Sequence, residues 1–443
     1  MSKYNTENLG TEPVSRLLAG MSLQTTLALL LYSVYALTDT FFISRGVSAY
    51  AAGGVSLTMP VVMILGAVST TMGTGAASII SRALGKDDKE KAAATAANTF
   101  LIFWLTALAF TVLGLLFLNP LLRLLGTDDI LLPYAKSYLR IILLGAVTST
   151  GFSALIRAEG NTRFSLYIWI FPVLINLIFD PVFIFCFGWG VEGAAAATVL
   201  AQSISAGMSV YYFFFSGRDT YKIQREHFRL KRTLIGEIIS IGSPSLISQA
   251  GTSLIVTIIN QILLRYGGAE AITAFGIVSR IQGFMVLPQN GIVQGMQPIV
   301  GYNFAARLYD RVKKTIRLSI AASAAYGILM LLAGILGASF LVSIFVSEPE
   351  ILALGASILP LIALCFPFKG IPTIVSAVFQ SEGKPFLSVS LLLFGLFAVQ
   401  LPVMLLLAQQ FSLTGIWMSF VISDALMCII SIFILIRSFL KTE

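Results

Sequence analysis

The chain has 443 residues, of which 57% are hydrophobic and only 11% are charged, and its formal net charge is +8. So few charged residues are atypical of a water-soluble domain of this length and favour a membrane protein. The positive charge does not indicate nucleic-acid binding, because the basic residues are distributed among loops instead of forming one patch.

Twelve apolar runs follow one another along the chain, and each is long enough for a transmembrane helix, which needs about 20 apolar residues. They cover residues 17–44, 50–78, 93–118, 131–156, 163–187, 190–216, 234–264, 271–304, 315–345, 351–379, 386–409 and 413–437. We therefore predict an all-α polytopic membrane protein with twelve transmembrane helices. The three cysteines lie inside these runs without paired spacing, so they support neither a disulfide framework nor a metal site. We also expect no cofactor.

The basic residues alternate between the two sides of the predicted membrane. Most lie in the loops near residues 82–91, 157–163, 218–232 and 307–317, whereas the opposite loops contain only Arg45, Arg123 and Arg265. By the positive-inside rule the first group is cytoplasmic, so we expect a multi-pass protein of the cytoplasmic (inner) membrane with both termini on the cytoplasmic side.

The two halves of the chain repeat each other at an offset of about 222 residues. Glu159-Gly160 matches Glu382-Gly383, and Gly193 matches Gly415. Because each half contains six spans, the repeat is parallel and predicts two pseudo-symmetric six-helix bundles with a cleft between them. We divide the chain into an N-terminal lobe (1–216), a cytoplasmic linker (217–232) and a C-terminal lobe (233–443). The only histidine, His227, lies in the linker and is interpreted as a solvated residue.

Two carboxylates, Asp39 and Asp180, lie inside apolar spans of the first half. Charges at bilayer depth are costly and usually mark an ion or proton pathway. Residues four apart share a helix face, so Tyr35 lies beside Asp39 and Asn176 beside Asp180. Thr198, in the sixth span, can bring a hydroxyl group to the same place.

These five side chains offer oxygen ligands for a small hard cation, and they are equally able to share a proton. Na⁺ would be held by Asp39, Asn176, Asp180 and Thr198. The alternative is two separate acids, each hydrogen-bonded within its bundle for packing. The residues do not distinguish Na⁺ from H⁺.

The second half lacks these acids, since Asp39 matches Gln261 and Asp180 matches Leu401. It contains other intramembrane polar groups whose roles the sequence leaves open, namely Asp424, Arg280 and Lys369. The eighth span is rich in glutamine, and we expect Gln282 to line a substrate cavity.

The order and spacing of several motifs resemble the multidrug and toxic compound extrusion (MATE) transporters, and within them the DinF-like branch. The likeness covers essentially the whole chain. It depends on Asp39-Thr40-Phe41-Phe42-Ile43, Ser81-Arg82-Ala83-Leu84-Gly85-Lys86, Arg157-Ala158-Glu159-Gly160-Asn161, Asn176 with Asp180-Pro181, and Gly193-Ala194-Ala195 before Thr198.

The resemblance implies a secondary active antiporter that exports amphipathic, often cationic drugs or toxic organic compounds in exchange for inward Na⁺ or H⁺. It also implies that Tyr35, Asp39, Asn176, Asp180 and Thr198 form the cation or proton site in the N-terminal lobe. Gln202, one turn after Thr198, would face the substrate cavity. We expect small organic substrates and membrane lipid as partners, no nucleic acid, and a monomer.

Three other functions were weighed. A lipid-linked precursor or polysaccharide flippase of the same superfamily would be expected to have a strongly cationic cavity. A major-facilitator carrier also has twelve spans, but its Gly-x-x-x-Asp-Arg type signature is missing after the second span. An intramembrane enzyme is not expected, because no HExxH or protease motif stands out.

Overall fold

The computed structural model describes residues 6–125, 127, 129–148, 152–216, 220–346 and 348–440, and these residues form helices without any strand. The α-helices are α1 (Asn8–Thr11), α2 (Val14–Gly46), α3 (Ala49–Gly85), α4 (Lys89–Leu116), α5 (Leu118–Leu124), α6 (Leu132–Leu144), α7 (Phe152–Ala158), α8 (Thr162–Pro181), α9 (Gly190–Phe214), α10 (Arg232–Ala305), α11 (Tyr309–Leu336), α12 (Ala338–Ser343), α13 (Pro349–Ala363), α14 (Phe366–Ser381), α15 (Pro385–Leu393) and α16 (Leu401–Leu440). Short π-helical turns, Val182–Cys186 and Phe394–Gln400, follow α8 and α15.

The described helices account for the predicted twelve spans. Nine helical stretches are long and apolar enough to cross a membrane, and two further spans are bent pairs of helices. One of the nine, Pro385–Ser438, has 54 residues, more than twice the length of a span, and its backbone is non-helical at Ser412. It therefore supplies two spans, and the all-α polytopic prediction is confirmed.

The chain divides into two compact units. The first contains Leu27–Gly242 with the N-terminal residues up to Leu9, and the second contains Gly10–Thr26 with the chain from Ser243 onward. Helices α2 and α10 each contribute to both units, so the units follow packing and differ from the predicted boundaries at residues 216 and 233. The division into two lobes and a linker stays a prediction about the chain's functional organisation.

The backbone of each unit carries the repeat. The fourth span of the first unit is α6 and α7, bent by 50°, and its counterpart in the second unit is α13 and α14, bent by 52°. Positive φ angles recur at matched positions, at Gly160 and Gly383 and again at Gly190 and Ser412. Few residues other than glycine adopt a positive φ angle. Its recurrence at matched positions therefore indicates that the helices break at the same places in both halves.

The matched glycines Gly193 and Gly415 allow equivalent close contacts. A Cβ atom on Gly193 would lie 2.9 Å from the backbone of Phe183, and one on Gly415 would lie 2.0 Å from the carbonyl oxygen of Leu407. Each glycine therefore lets one span begin directly against the end of the span before it.

The first unit has a second close crossing, where α3 meets the beginning of α10. A Cβ atom on Gly242 would lie 1.9 Å from the carbonyl oxygen of Thr71. Near this crossing the Glu237 carboxylate forms ion pairs with Lys91 at 3.0 Å and with Arg82 at 3.4 Å. The beginning of α10 is thus fixed on the first unit by close backbone packing and by two ion pairs.

The interpretation of His227 as a solvated linker residue is wrong. Its side chain is only 4% exposed, Nε2 lies 2.9 Å from Glu90 Oε1, and Nδ1 accepts the backbone N–H of Gln224. The cause is Asn98 on α4, whose amide nitrogen donates to the carbonyls of His227 and Arg229 while its oxygen accepts the Lys231 N–H. One buried amide therefore satisfies three backbone groups of the linker and folds it onto the first unit.

Replacement of Gly242 by alanine should destabilise the protein, because its methyl group would overlap the Thr71 carbonyl. We expect a cost of about 1–3 kcal/mol. Gly236→Ala on the same helix is the control, since a Cβ atom there meets nothing within 4 Å and alanine favours helix by up to about 1 kcal/mol. Thermal unfolding in detergent would measure both variants, and equal melting temperatures would contradict the crossing.

Replacement of Asn98 by alanine should release the linker, because three backbone groups lose their partner. Hydrogen–deuterium exchange of residues 224–231 should become faster, with a stability loss of about 1–3 kcal/mol. Asn98→Asp keeps the acceptor for Lys231 and loses the donors, so its exchange should be intermediate. Unchanged exchange in Asn98→Ala would show that other contacts hold the linker.

Candidate cation-binding site

Three helices of the first unit bring the five predicted side chains together. Tyr35 and Asp39 come from α2, Asn176 and Asp180 from α8, and Thr198 from α9. We call these five residues the acidic cluster. The carboxyl groups of Asp39 and Asp180 lie within hydrogen-bonding reach of each other.

Polar contacts link the members of the acidic cluster. The Asn176 amide nitrogen donates to Asp180 Oδ1 at 3.2 Å and reaches Thr198 Oγ1 at 3.5 Å. The hydroxyl groups of Tyr35 and Thr198 share a hydrogen bond of 3.1 Å. Thr198 thus connects the α2 and α8 parts of the cluster.

The local sequence explains how these residues meet. Asn176 and Asp180 are one turn apart on α8, so they share a face. The helix then passes into the π-helical turn Val182–Cys186, and α9 begins at Gly190. Because Gly193 has no side chain, α9 approaches the end of α8 closely, and Thr198 is brought beside Asn176.

The acidic cluster is buried in the first unit. Asn176 and Asp180 are fully buried, and Asp39 is only 5% exposed. An apolar cluster includes Ile43 on α2 and Ala194 and Ala195 on α9, the same helices that carry Asp39 and Thr198. The carboxylates therefore lie in a setting where water cannot fully solvate them.

Three oxygen atoms of the acidic cluster have no hydrogen-bond partner, namely Asp39 Oδ1, Asn176 Oδ1 and Asp180 Oδ2. No lysine or arginine of the described residues pairs with either carboxylate. Buried acceptors without a donor are unfavourable, and two adjacent carboxylates cannot both remain ionised cheaply without a positive charge. A proton or a cation at these oxygens would remove both unfavourable features.

The ligand types fit a small monovalent ion. Two carboxylates, an amide oxygen and hydroxyl groups are hard oxygen ligands, whereas the described residues contain no group of three or more His, Cys, Asp or Glu side chains that would hold a typical metal site. The cluster fits Na⁺, and it also fits one proton shared between Asp39 and Asp180.

The sequence did not single out Tyr138 on α6. This tyrosine is buried within the same apolar cluster and lies within electrostatic range of Asp39, Asp180 and Tyr35. Its phenol is a further hydroxyl group close to the acids. Its local sequence does not set it apart, because Lys136, Ser137 and Arg140 beside it on α6 are also polar.

The two predicted substrate-cavity residues lie apart from the acidic cluster's hydrogen bonds. Gln202 is half-buried one turn beyond Thr198, and among the described residues it forms no hydrogen bond to the cluster. Gln282 belongs to the second unit, where its buried Nε2 atom has no partner. Their role in a cavity stays a prediction.

Comparison with solved structures supports the fold. A crystal structure of a MATE protein in the bent conformation matches with a TM-score of 0.92 at 22% identity, covering 99% of this chain and 98% of that chain. A transporter of the MOP superfamily from Pyrococcus furiosus, described as having a binding pocket of reverse polarity that suggests a different function, matches with a TM-score of 0.89 at 23% identity, covering 97% of each chain. Because proteins with different described functions share the fold, the fold alone does not decide the activity.

The sequence comparisons identify the family. The multidrug export protein MepA of Staphylococcus haemolyticus is 26% identical over 408 residues, which is 91% of this chain and 89% of the relative. MepA of Staphylococcus aureus is 26% identical over 420 residues, which is 94% of this chain and 92% of the relative. The MatE family model matches twice, over residues 25–182 and 244–406, once in each half of the internal repeat. The chain therefore belongs to the MatE family of MATE transporters, whereas its place in the DinF-like branch stays a prediction.

Proposed function

We propose that this chain is a secondary active antiporter that exports amphipathic, often cationic drugs or toxic organic compounds in exchange for inward Na⁺ or H⁺. The observation that carries the proposal is the acidic cluster, whose two buried carboxylates have no basic partner among the described residues. Relatives named as multidrug export proteins support the substrate class.

Coupling follows from competition for one negative site. A cationic drug and a coupling ion both lower the energy of the unpaired carboxylates, so binding of one weakens binding of the other. The ion can drive export only through this difference in affinity between the states open to each side. In the outward-open state, Na⁺ or H⁺ neutralises Asp39 and Asp180 and releases the drug, and the ion is then carried inward.

The alternative of a lipid-linked precursor flippase receives less support. A flippase for a pyrophosphate-linked substrate needs positive charges where the substrate binds, whereas the acidic cluster carries two carboxylates and has no basic side chain paired with them among the described residues. The relatives named as export proteins also favour transport of small molecules and give no reason to propose an enzyme.

The membrane setting is part of the proposal. The helices are those of a multi-pass membrane protein, and we infer a cytoplasmic (inner) membrane with both termini inside from the distribution of basic loop residues. Membrane lipid as a partner, the absence of nucleic acid and a monomeric state stay predictions.

Cation binding should stabilise the protein, because an ion that binds only the folded state adds stability. Raising Na⁺ or lowering the pH should increase the melting temperature of the wild type, by an amount equivalent to about 2.7 kcal/mol at a hundredfold excess over Kd. In Asp39→Asn and Asp180→Asn the increase should be lost.

Glu192→Gln is the matched control for this measurement, because Glu192 is an exposed acid on α9 that accepts only from Ser137 in the described contacts. It should keep the wild-type response. An equal response in all four proteins would show that the cation acts elsewhere.

Export should depend on the same two acids. In proteoliposomes, a cationic dye should be exported under an imposed Na⁺ gradient or an imposed pH gradient, and the gradient that works identifies the coupling ion. Asp39→Asn and Asp180→Asn should fall to the level of protein-free liposomes, while Glu192→Gln should retain export. If Asp39→Asn exported the dye as well as the wild type under the same gradient, the site would be refuted. If neither gradient drove export by the wild type, the flippase would be favoured.

A further inference from the structure

The second unit contains its own pair of intramembrane charges, Lys369 and Asp424. Lys369 is in the first turn of α14, just after the 52° bend between α13 and α14. Asp424 lies on α16, twelve residues beyond the break at Ser412. At a rise of about 1.5 Å per residue this is roughly 18 Å into the span, near the middle of a hydrocarbon layer of about 30 Å.

The two side chains interact without forming a direct ion pair. Their charges lie within electrostatic range, and the Cys365 thiol at the start of α14 is within hydrogen-bonding reach of the Asp424 carboxylate. Among the described residues no ion pair joins Lys369 to Asp424. Both side chains are half-buried, whereas Cys365 and Ser423 beside them are buried.

A purely structural pair at this depth would be expected to close into contact. Each charge costs about 2.5–3.5 kcal/mol at the centre of a membrane helix, and direct pairing is the simplest way to recover that cost. Here the carboxylate lies instead near the amino end of α14, where the helix dipole and the Lys369 ammonium both favour a negative charge. The Lys369 ammonium and the Asp424 carboxylate can therefore stabilise each other without direct contact.

The charge balance differs from that of the acidic cluster. Asp39 and Asp180 have no base among the described residues, so they require an external positive charge. Asp424 already has Lys369, so a simple cation would gain little there and would be repelled by the ammonium. A ligand that carries both charges satisfies both side chains and brings no net charge into the membrane.

We propose that Lys369 and Asp424 form a binding site for zwitterionic substrates, in which Lys369 receives the substrate carboxylate and Asp424 its ammonium group. This inference depends on the proposed export of organic compounds and specifies a substrate class within it. It assigns the charged groups of the second unit to substrate selection and leaves ion coupling to the acidic cluster.

Three matched probes test the site by equilibrium binding to the purified full-length protein. Norfloxacin is a zwitterion near neutral pH, its methyl ester lacks the carboxylate, and its N-acetyl derivative lacks the basic amine. The wild type should bind norfloxacin most tightly. Lys369→Met should remove the preference over the methyl ester, and Asp424→Asn the preference over the N-acetyl derivative, each by about tenfold, as for one charge-assisted hydrogen bond.

The neutral double variant Lys369→Met/Asp424→Asn covers the case in which either single variant fails to fold, because it leaves no unpaired charge. It should bind all three probes about equally. Arg280→Met is the control, since it removes an exposed basic group from another span of the second unit and should keep the wild-type preferences.

A double variant that retains the wild-type preference for norfloxacin would overturn the inference, and so would a wild type that does not prefer the zwitterion. Because binding is measured without an ion gradient, these outcomes are separate from the export assay. Export that depends on Asp39 and Asp180 without a zwitterion preference would refute this site alone. Failure of gradient-driven export with the preference intact would refute the antiport proposal alone.

Discussion

The burial of two neighbouring carboxylates without a base is the constraint on which the account depends. Asp39 and Asp180 lie in a region lined by apolar side chains, and three oxygen atoms of their cluster lack a donor. Water, a proton or a cation must complete such a site, and in hydrocarbon the cost of leaving it incomplete is large. We propose that a cation or a proton completes this site in the first unit, and that antiport uses this binding.

The repeat gives both halves of the chain the same backbone features, whereas their charged residues differ. Both halves have the same bent span, and the same close glycine contact at Gly193 and Gly415. These features belong to the backbone and are needed for helices to pack. The charged residues are not matched, because Asp39 corresponds to Gln261, and Asp424 has no counterpart among the acids of the first half. The division of roles between ion coupling and substrate selection is our inference from this difference.

The sequence predicted those features that depend on local spacing. Apolar run length predicted twelve spans, and the four-residue helical spacing placed Asn176 beside Asp180. The meeting of α2, α8 and α9 required more than spacing, and for Thr198 the family resemblance supplied it. That these residues bind a cation stays a proposal, although the structure brings them together.

Features that depend on distant contacts were not predictable in the same way. The burial of His227 results from Asn98, which is 129 residues earlier in the chain and satisfies the linker backbone. Tyr138 joins the surroundings of the acidic cluster only through the packing of α6. The contribution of Val14–Thr26 to the second unit depends on tertiary contacts, because α2 is continuous and its sequence does not mark a boundary at Thr26.

The most direct test of the central claim is the affinity of the purified wild type for a permanent organic cation, titrated against Na⁺ and against pH. If the organic cation and the coupling ion compete for the acidic cluster, the apparent Kd of the organic cation should rise with the concentration of the coupling ion. The rise should be proportional once the coupling ion saturates the cluster. An affinity that is independent of both Na⁺ and pH would contradict the claim, because the drug and the ion would then not share the carboxylates.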